Sequence, residues 1–222
     1  MFISCFSATT HRRIRLDSPK ILGRTSFPCL RGNLGNLIMK IVFLDRDGVI
    51  SKYYPKDWTK KWEEFSFLPT AKEALRRLNQ ANYRVVIISN QAGVSKGFFT
   101  LKTLSYITKR MKEEVKKSGG KIKKVYYCPH QEQDNCLCRK PKVGLFKKAE
   151  RDFGYIDFEK TFFVGDSEVD ILTGKNIGTK TILVLSGKTK SKEEAENWQK
   201  QPDYIVTDLL SAAEIILNPA EN

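Results

Sequence analysis

The 222-residue chain has no uninterrupted apolar stretch approaching the ~20 residues that a bilayer-spanning helix requires, which excludes an integral helical membrane protein. It also lacks the roughly 7–15-residue apolar core that follows the basic residues of a secretory signal. Acids are nearly missing from the first 38 residues, where Asp17 stands alone against six Arg and Lys. Cysteine is sparse and uneven. Of five, Cys5 and Cys29 lie upstream, while Cys128, Cys136 and Cys138 fall within eleven residues. A disulfide framework would spread its cysteines and leave no odd one over, so this spacing argues for a metal site in a reducing compartment, the cytoplasm. No internal repeat is present.

What the chain does carry is positive charge. Lys and Arg number 39 against 25 Asp and Glu, a formal net charge of +14. Such a balance favours anionic partners: phosphorylated metabolites, nucleic acid or acidic lipid. A hydrophobic fraction of 41% and a charged fraction of 29% are ordinary for a globular protein, and the length suffices for one good core with an appendage. Residues 1–38 form that appendage. They are rich in Ser, Thr, Arg and Gly, without sustained periodicity, and are broken at Pro19, Gly23, Pro28, Gly32 and Gly35. They read as a transit-like leader or as an over-extended start upstream of Met39, with a single domain over 39–222.

From residue 40 onward, strands alternate with amphipathic helices. The leading strand is Ile41-Val42-Phe43-Leu44, apolar throughout and therefore buried on both faces, as in parallel sheets. Further strands are expected at Tyr83–Ile88, Ile122–Tyr127, Thr161–Val164, Thr181–Leu185 and Tyr204–Val206. Helices are expected over Thr70–Ala81 with a Thr70/Glu73 capping box, over Leu101–Ser118 opened by Thr100 and closed by Gly119-Gly120, and over Gly144–Phe153. Closing helices are expected at Glu193–Gln199 and Leu209–Leu217. This alternation specifies an α/β fold, a doubly wound, mostly parallel sheet. Residues 50–68, polar and aromatic, are either a flap over the ligand edge or a plain surface loop.

Four strand ends contribute polar groups. The first gives Asp45 and Asp47, followed by Gly48 for a sharp turn. The second gives Ser89-Asn90-Gln91-Ala92-Gly93, a turn able to present N–H groups to an oxyanion. The third leads to Arg139-Lys140-Pro141, and the fourth to Gly165-Asp166-Ser167-Glu168-Val169-Asp170. Each alone has a plainer explanation as a cap, a turn or a solvated charge. Together, two acids from different strands can hold Mg²⁺, and a Lys and a hydroxyl can hold phosphate. Separately, Cys128, His130, Cys136 and Cys138 match a tetrahedral Zn²⁺ site, structural because four protein ligands leave no open position.

These motifs resemble the haloacid dehalogenase (HAD) superfamily of phosphatases, a Rossmann-like core, over roughly residues 40–190. The resemblance implies Asp45 as nucleophile, and Asp47 as general acid and base carrying a proton that crowding acids favour. It implies Mg²⁺ on Asp45, the carbonyl of Asp47, and Asp166. Ser89 and Lys140 would hold the phosphoryl group, with Asp170 supporting Lys140 or metal-bound water. The zinc loop and Arg139-Lys140-Pro141 are similar to one branch, without a large cap domain, containing heptose-1,7-bisphosphate 7-phosphatases and histidinol-phosphate phosphatases. Residues 89–100 are more similar to the heptose enzymes, which carry Thr at the place of Ser89 and commonly Arg at that of Lys96. Arg139 would then grip a second phosphate, with Asn90 and Gln91 also meeting substrate. The five-residue gap between His130 and Cys136 is shared with the histidinol-phosphate enzymes. The expected partner is a small phosphorylated molecule. A nucleic-acid-binding or 3′-phosphate-processing protein is the contrasting reading, prompted by basic charge and the aromatic-basic loop 52–65; the scattered lysines of the helices favour solvated surface instead.

Overall fold

In the computed structural model, residues 39–219 are described; the expectations about residues 1–38 lie outside them. Six strands, β1 (Ile41–Leu44), β2 (Arg84–Asn90), β3 (Ile122–Cys128), β4 (Phe162–Gly165), β5 (Lys180–Val184) and β6 (Tyr204–Val206), form one parallel sheet in the order β3-β2-β1-β4-β5-β6. Five helices accompany it: α1 (Ala71–Gln80), α2 (Leu101–Lys117), α3 (Gly144–Phe153), α4 (Glu168–Ile177) and α5 (Leu209–Leu217).

The alternation of strand side chains divides the core into two layers. Val42 and Leu44 of β1 pack with Ala74, Leu75, Ile107, Met111, Ala213 and Ile216, from α1, α2 and α5. Ile41 and Phe43 face the other way, onto Leu145, Phe146 and Ala149 of α3. The Phe43 and Phe146 ring centroids are 4.7 Å apart. With both faces covered, β1 is buried along its whole length, the reason its four residues are uniformly apolar.

All strands run the same way, so their carboxyl ends share one edge. The strand order reverses between β1 and β4, and the crevice outside such a reversal is where doubly wound sheets bind ligands. Asp45 continues β1 there, its N–H bonding the Val164 carbonyl at 2.9 Å.

The structure corrects three local expectations. Thr70 does not cap α1: its hydroxyl donates to Asp208, 3.0 Å away, while the other Asp208 oxygen caps α5 through the Ser211 N–H. Glu73 pairs with Arg76 and Arg77 instead of closing a capping box. The helix expected at Glu193–Gln199 is a single turn, Glu193–Ala195, because the Gln201 side-chain amide takes the carbonyls of Ala195, Glu196 and Trp198. Helix α4, unforeseen, follows β4 directly.

Candidate active site

Three acids meet at the β1/β4 reversal. One carboxylate oxygen each from Asp45, Asp166 and Asp170 lies within 4.8 Å of the others, and all three residues are buried. Asp166 is seated between two glycines. A Cβ on Gly48 or on Gly187 would stand 2.0 Å from Asp166 Oδ2, and Gly48 holds a left-handed φ of +84° that few side chains tolerate. The Lys188 N–H bonds the same oxygen at 2.6 Å. Burial pushes the Asp45 carboxyl up, with Asp170 and Asp47 adding and Lys140 opposing, to about 6. Burial, then Asp170 and Asp45, raises Asp166 well above the usual carboxylate range.

One cation serves this cluster. Lys140 Nζ lies 2.5 Å from Asp170 Oδ1, 3.1 Å from Asp45 Oδ1 and 3.1 Å from the Ile88 carbonyl. Burial opposes its charge, but Asp170 and Asp45 outweigh that and raise its pKa. Asn90 fixes the Lys140 backbone by bonding both its N–H (3.1 Å) and its carbonyl (3.2 Å). Three carboxyl groups share the pocket with a single ammonium, and Asp45 Oδ1, although 3.1 Å from Lys140 Nζ, makes no hydrogen bond. A set of hard, anionic oxygens with an unsatisfied buried lone pair fits a divalent cation such as Mg²⁺.

Asp47 stands apart from that crowd. Its Oδ1 accepts from Arg46 Nε (3.0 Å) and Ser51 Oγ (3.0 Å), and its Oδ2 from Arg46 Nη2 (2.7 Å) and Gln91 Nε2 (2.8 Å). The acids expected to press on Asp47 converge on Asp45 and Asp166 instead, because the guanidinium draws Asp47 aside.

The cysteine loop leaves the end of β3. Cys128, Cys136 and Cys138 Sγ atoms are 3.3–3.5 Å apart, too far for disulfides, and His130 Nδ1 lies 3.6 Å from Cys128 and 3.3 Å from Cys138. Four soft or borderline donors thus surround one point, a donor set that fits Zn²⁺. Gly144, at the start of α3, abuts this loop: a Cβ there would be 2.2 Å from the Leu137 carbonyl oxygen.

A cavity of about 520 Å³ opens over the acids. Asp45, Asp47, Ser89, Asn90, Lys140 and Asp166 line it, and Arg139, Lys142 and Lys188 bring further positive charge to the lining. The loop 50–68 borders it through Tyr53, Tyr54, Trp58 and Thr59, which favours the flap over the plain surface loop. The loop is tied down by the Tyr54 hydroxyl bonding the Glu64 carbonyl at 2.8 Å and by Trp58, stacked on Phe98 with centroids 4.9 Å apart and capped by Lys96.

This geometry has counterparts in known proteins. A HAD-hydrolase-like family model matches residues 137–212. The D-glycero-β-D-manno-heptose-1,7-bisphosphate 7-phosphatase of Pseudomonas aeruginosa is 36% identical over 67% of this chain and 82% of that protein. The enzyme of the same name from Neisseria meningitidis is 35% identical over 75% and 87%. This chain belongs to the haloacid-dehalogenase-like phosphatases. In solved structures, the phosphatase resembles the D,D-heptose 1,7-bisphosphate phosphatase of B. bronchiseptica complexed with magnesium and phosphate (31% identity, TM-score 0.76, 82% of this chain and all of that one). The corresponding protein of Burkholderia thailandensis follows at 32% identity and TM-score 0.61, covering 81% and 99%.

Within the phosphatase, Asp45, Ser89, Lys140 and Asp166 come together as the strand-end spacing anticipates. Asp170 lies against Lys140, as expected of a supporting residue. Asn90 reaches the cavity but spends its amide on the Lys140 backbone, and Arg139 Nη1 bonds the His130 carbonyl at 3.2 Å. Gln91 is fully buried and absent from the cavity lining; its amide bonds Asp47, Arg46 and Ser89, so it supports Asp47 instead of meeting a ligand. Arg46 and Ser51, which the sequence does not single out, both bond Asp47. An Arg between two Asp reads as a solvated charge, and only its complete burial reveals otherwise.

Proposed function

We propose that this phosphatase hydrolyses D-glycero-D-manno-heptose 1,7-bisphosphate at C7. The observation that carries the reading is one cavity lined both by Ser89 and Lys140 beside Asp45 and by three further cations, Arg139, Lys142 and Lys188, which supports a substrate with two phosphates. A bisphosphate requires both. The names of the relatives and the magnesium and phosphate of the B. bronchiseptica complex support it.

In this reading Asp45 attacks phosphorus, the bond from phosphorus to the C7 oxygen breaks, and Asp47 gives its proton to the departing alkoxide. Water then adds to the phosphorus of the aspartyl phosphate, its proton passes to Asp47, and Asp45 is released with inorganic phosphate. A carboxylate nucleophile thus splits one difficult displacement into two easier ones. Ser89 and Lys140 hold the phosphoryl oxygens, and Asp170 keeps the Lys140 ammonium charged and aimed. Mg²⁺, held by Asp45, Asp166 and the Asp47 carbonyl, would offset repulsion between the nucleophile and the phosphate dianion. Zn²⁺ on Cys128, His130, Cys136 and Cys138 would be structural, bracing the loop that delivers Arg139 and Lys140. A zinc-thiolate site fits the reducing conditions of the cytoplasm.

The five-residue span 131–135 of the zinc loop favours histidinol phosphate as the second reading. Phosphate release from both esters, with and without Mg²⁺, separates them. A kcat/KM at least tenfold higher for the heptose bisphosphate is the expected result; a tenfold preference for histidinol phosphate overturns it. Phosphate release confined to 3′-phosphorylated DNA would overturn both.

A further inference from the structure

Arg46 has no surface exposure, yet it is paired with Asp47, which lines the cavity. Its Nε and Nη2 make a fork onto the two Asp47 oxygens, and Nη2 also donates to Gln91 Oε1 at 2.9 Å. Gln91 closes the ring by donating back to Asp47 Oδ2, while the guanidinium lies 5.7 Å from the Tyr127 ring centroid. Tyr127 is itself joined to Thr108 of α2 through a 3.0 Å hydroxyl contact. Such a group is placed by the fold, and desolvating a guanidinium is justified energetically only by strong partners.

We propose that Arg46 is a positioning residue for the phosphatase reaction, fixing the plane and direction of the Asp47 carboxyl, with Ser51 as the adjustable member of the same cradle. The planar fork matches both carboxylate oxygens at once, which a lysine ammonium cannot do. Ser51 differs from Arg46 in having a second acceptor, the Arg46 carbonyl at 3.3 Å, so its bond to Asp47 can be released and remade. The guanidinium is fully buried and has Asp47 and Gln91 as its acceptors, so its fork onto Asp47 is the fixed member of the cradle.

The inference rests on Asp47 serving as general acid, and the experiment separates the two. The full-length, Mg²⁺-supplied enzyme and its Arg46→Lys, Ser51→Ala and Asp47→Asn variants are assayed on a primary alkyl phosphate and on p-nitrophenyl phosphate. Heptose bisphosphate and histidinol phosphate both qualify as the alkyl ester. Protonating the leaving oxygen matters for an alkoxide and little for nitrophenolate, and kcat/KM reports the first, phosphoryl-transfer step. Arg46→Lys is expected to lower kcat/KM on the alkyl ester about 100-fold but on the aryl ester less than tenfold, chiefly through kcat. Ser51→Ala is expected to show the same selectivity at about five- to tenfold. Loss of folding would lower both substrates together, and Ser51→Ala then decides. Asp47→Asn showing the selectivity while both cradle variants lose equally on both esters overturns the proposal. Asp47→Asn without the selectivity overturns the general-acid reading itself.

Discussion

At the scale of single residues, the site is a conflict between burial and charge, resolved differently at each acid. Asp45, Asp166 and Asp170 are crowded, with one lysine shared between Asp45 and Asp170, whereas Asp47 has a dedicated guanidinium. Asp45→Asn removes both the nucleophile and one unit of metal-binding charge while preserving shape. Turnover is expected to fall by a factor on the order of 10³ or more, with thermal unfolding unchanged or shifted upward. Activity within tenfold of wild type would contradict the assignment. Asp45 also sets a pH dependence. Its carboxyl titrates at 3.8 in the unfolded reference and at about 6 in the native protein. Between those values the native state keeps a proton that the unfolded state has released. Metal-free protein therefore gains stability as pH falls through 6 toward 4, and loses it as pH rises. The effect is at most about 3 kcal/mol for a two-unit shift. Because Mg²⁺ would neutralise the cluster, the gain in melting temperature on adding it should be larger near pH 7.5 than near pH 5. Equal gains at the two pH values would count against a charge-driven metal site.

At the scale of elements, what the sequence made readable follows from the kind of burial each element has. Strand β1 and helix α3 declare themselves because one is apolar on both faces and the other carries Leu145, Phe146 and Ala149 on one face. Helix α4 does not, because the residues it buries are Asp170, Ile171, Thr173 and Gly174. Its inner side serves the site and packs closely: a Cβ on Gly174 would come 2.4 Å from the Thr181 methyl. Apolar periodicity is the wrong signal for such a helix. Arg46 and Ser51 were hidden for a related reason: their bonds to Asp47 are local, but the complete burial of the guanidinium and its bond to Gln91, 45 residues on, leave no mark on the pattern. The cysteine loop was the easiest element to read, its Cys and His residues being compact in sequence. Cys136→Ser replaces a thiolate ligand with a weakly coordinating hydroxyl, so zinc content should drop and the melting temperature fall by several degrees. Since Arg139 and Lys140 follow directly from the loop, kcat/KM is expected to decline with it. Unchanged metal content and unchanged melting temperature together would dismiss the site.

At the scale of the whole molecule, charge and cavity act together. The chain carries +14, of which the first 39 residues hold +5, from six Arg and Lys and one Asp, leaving +9 on residues 40–222. Among the described residues, no helix is long and apolar enough to cross a membrane, and Arg139, Lys142 and Lys188 add positive charge to a cavity lining that also carries Asp57 and Glu132. A field of this sign raises the local concentration of a polyanionic substrate and is screened over a Debye length of about 8–10 Å at physiological salt. The encounter should therefore be salt-sensitive and the chemistry should not, because Lys140 and the acid cluster are buried. Raising ionic strength from about 0.02 to 0.3 M is expected to lower kcat/KM several-fold on a bisphosphate while leaving kcat nearly constant. A chain beginning at Met39 should keep most of that slope, since the cavity wall and the larger share of the charge remain. A slope that vanished with residues 1–38 would move the steering to the leader; a kcat that fell in parallel with kcat/KM would place the salt effect inside the site.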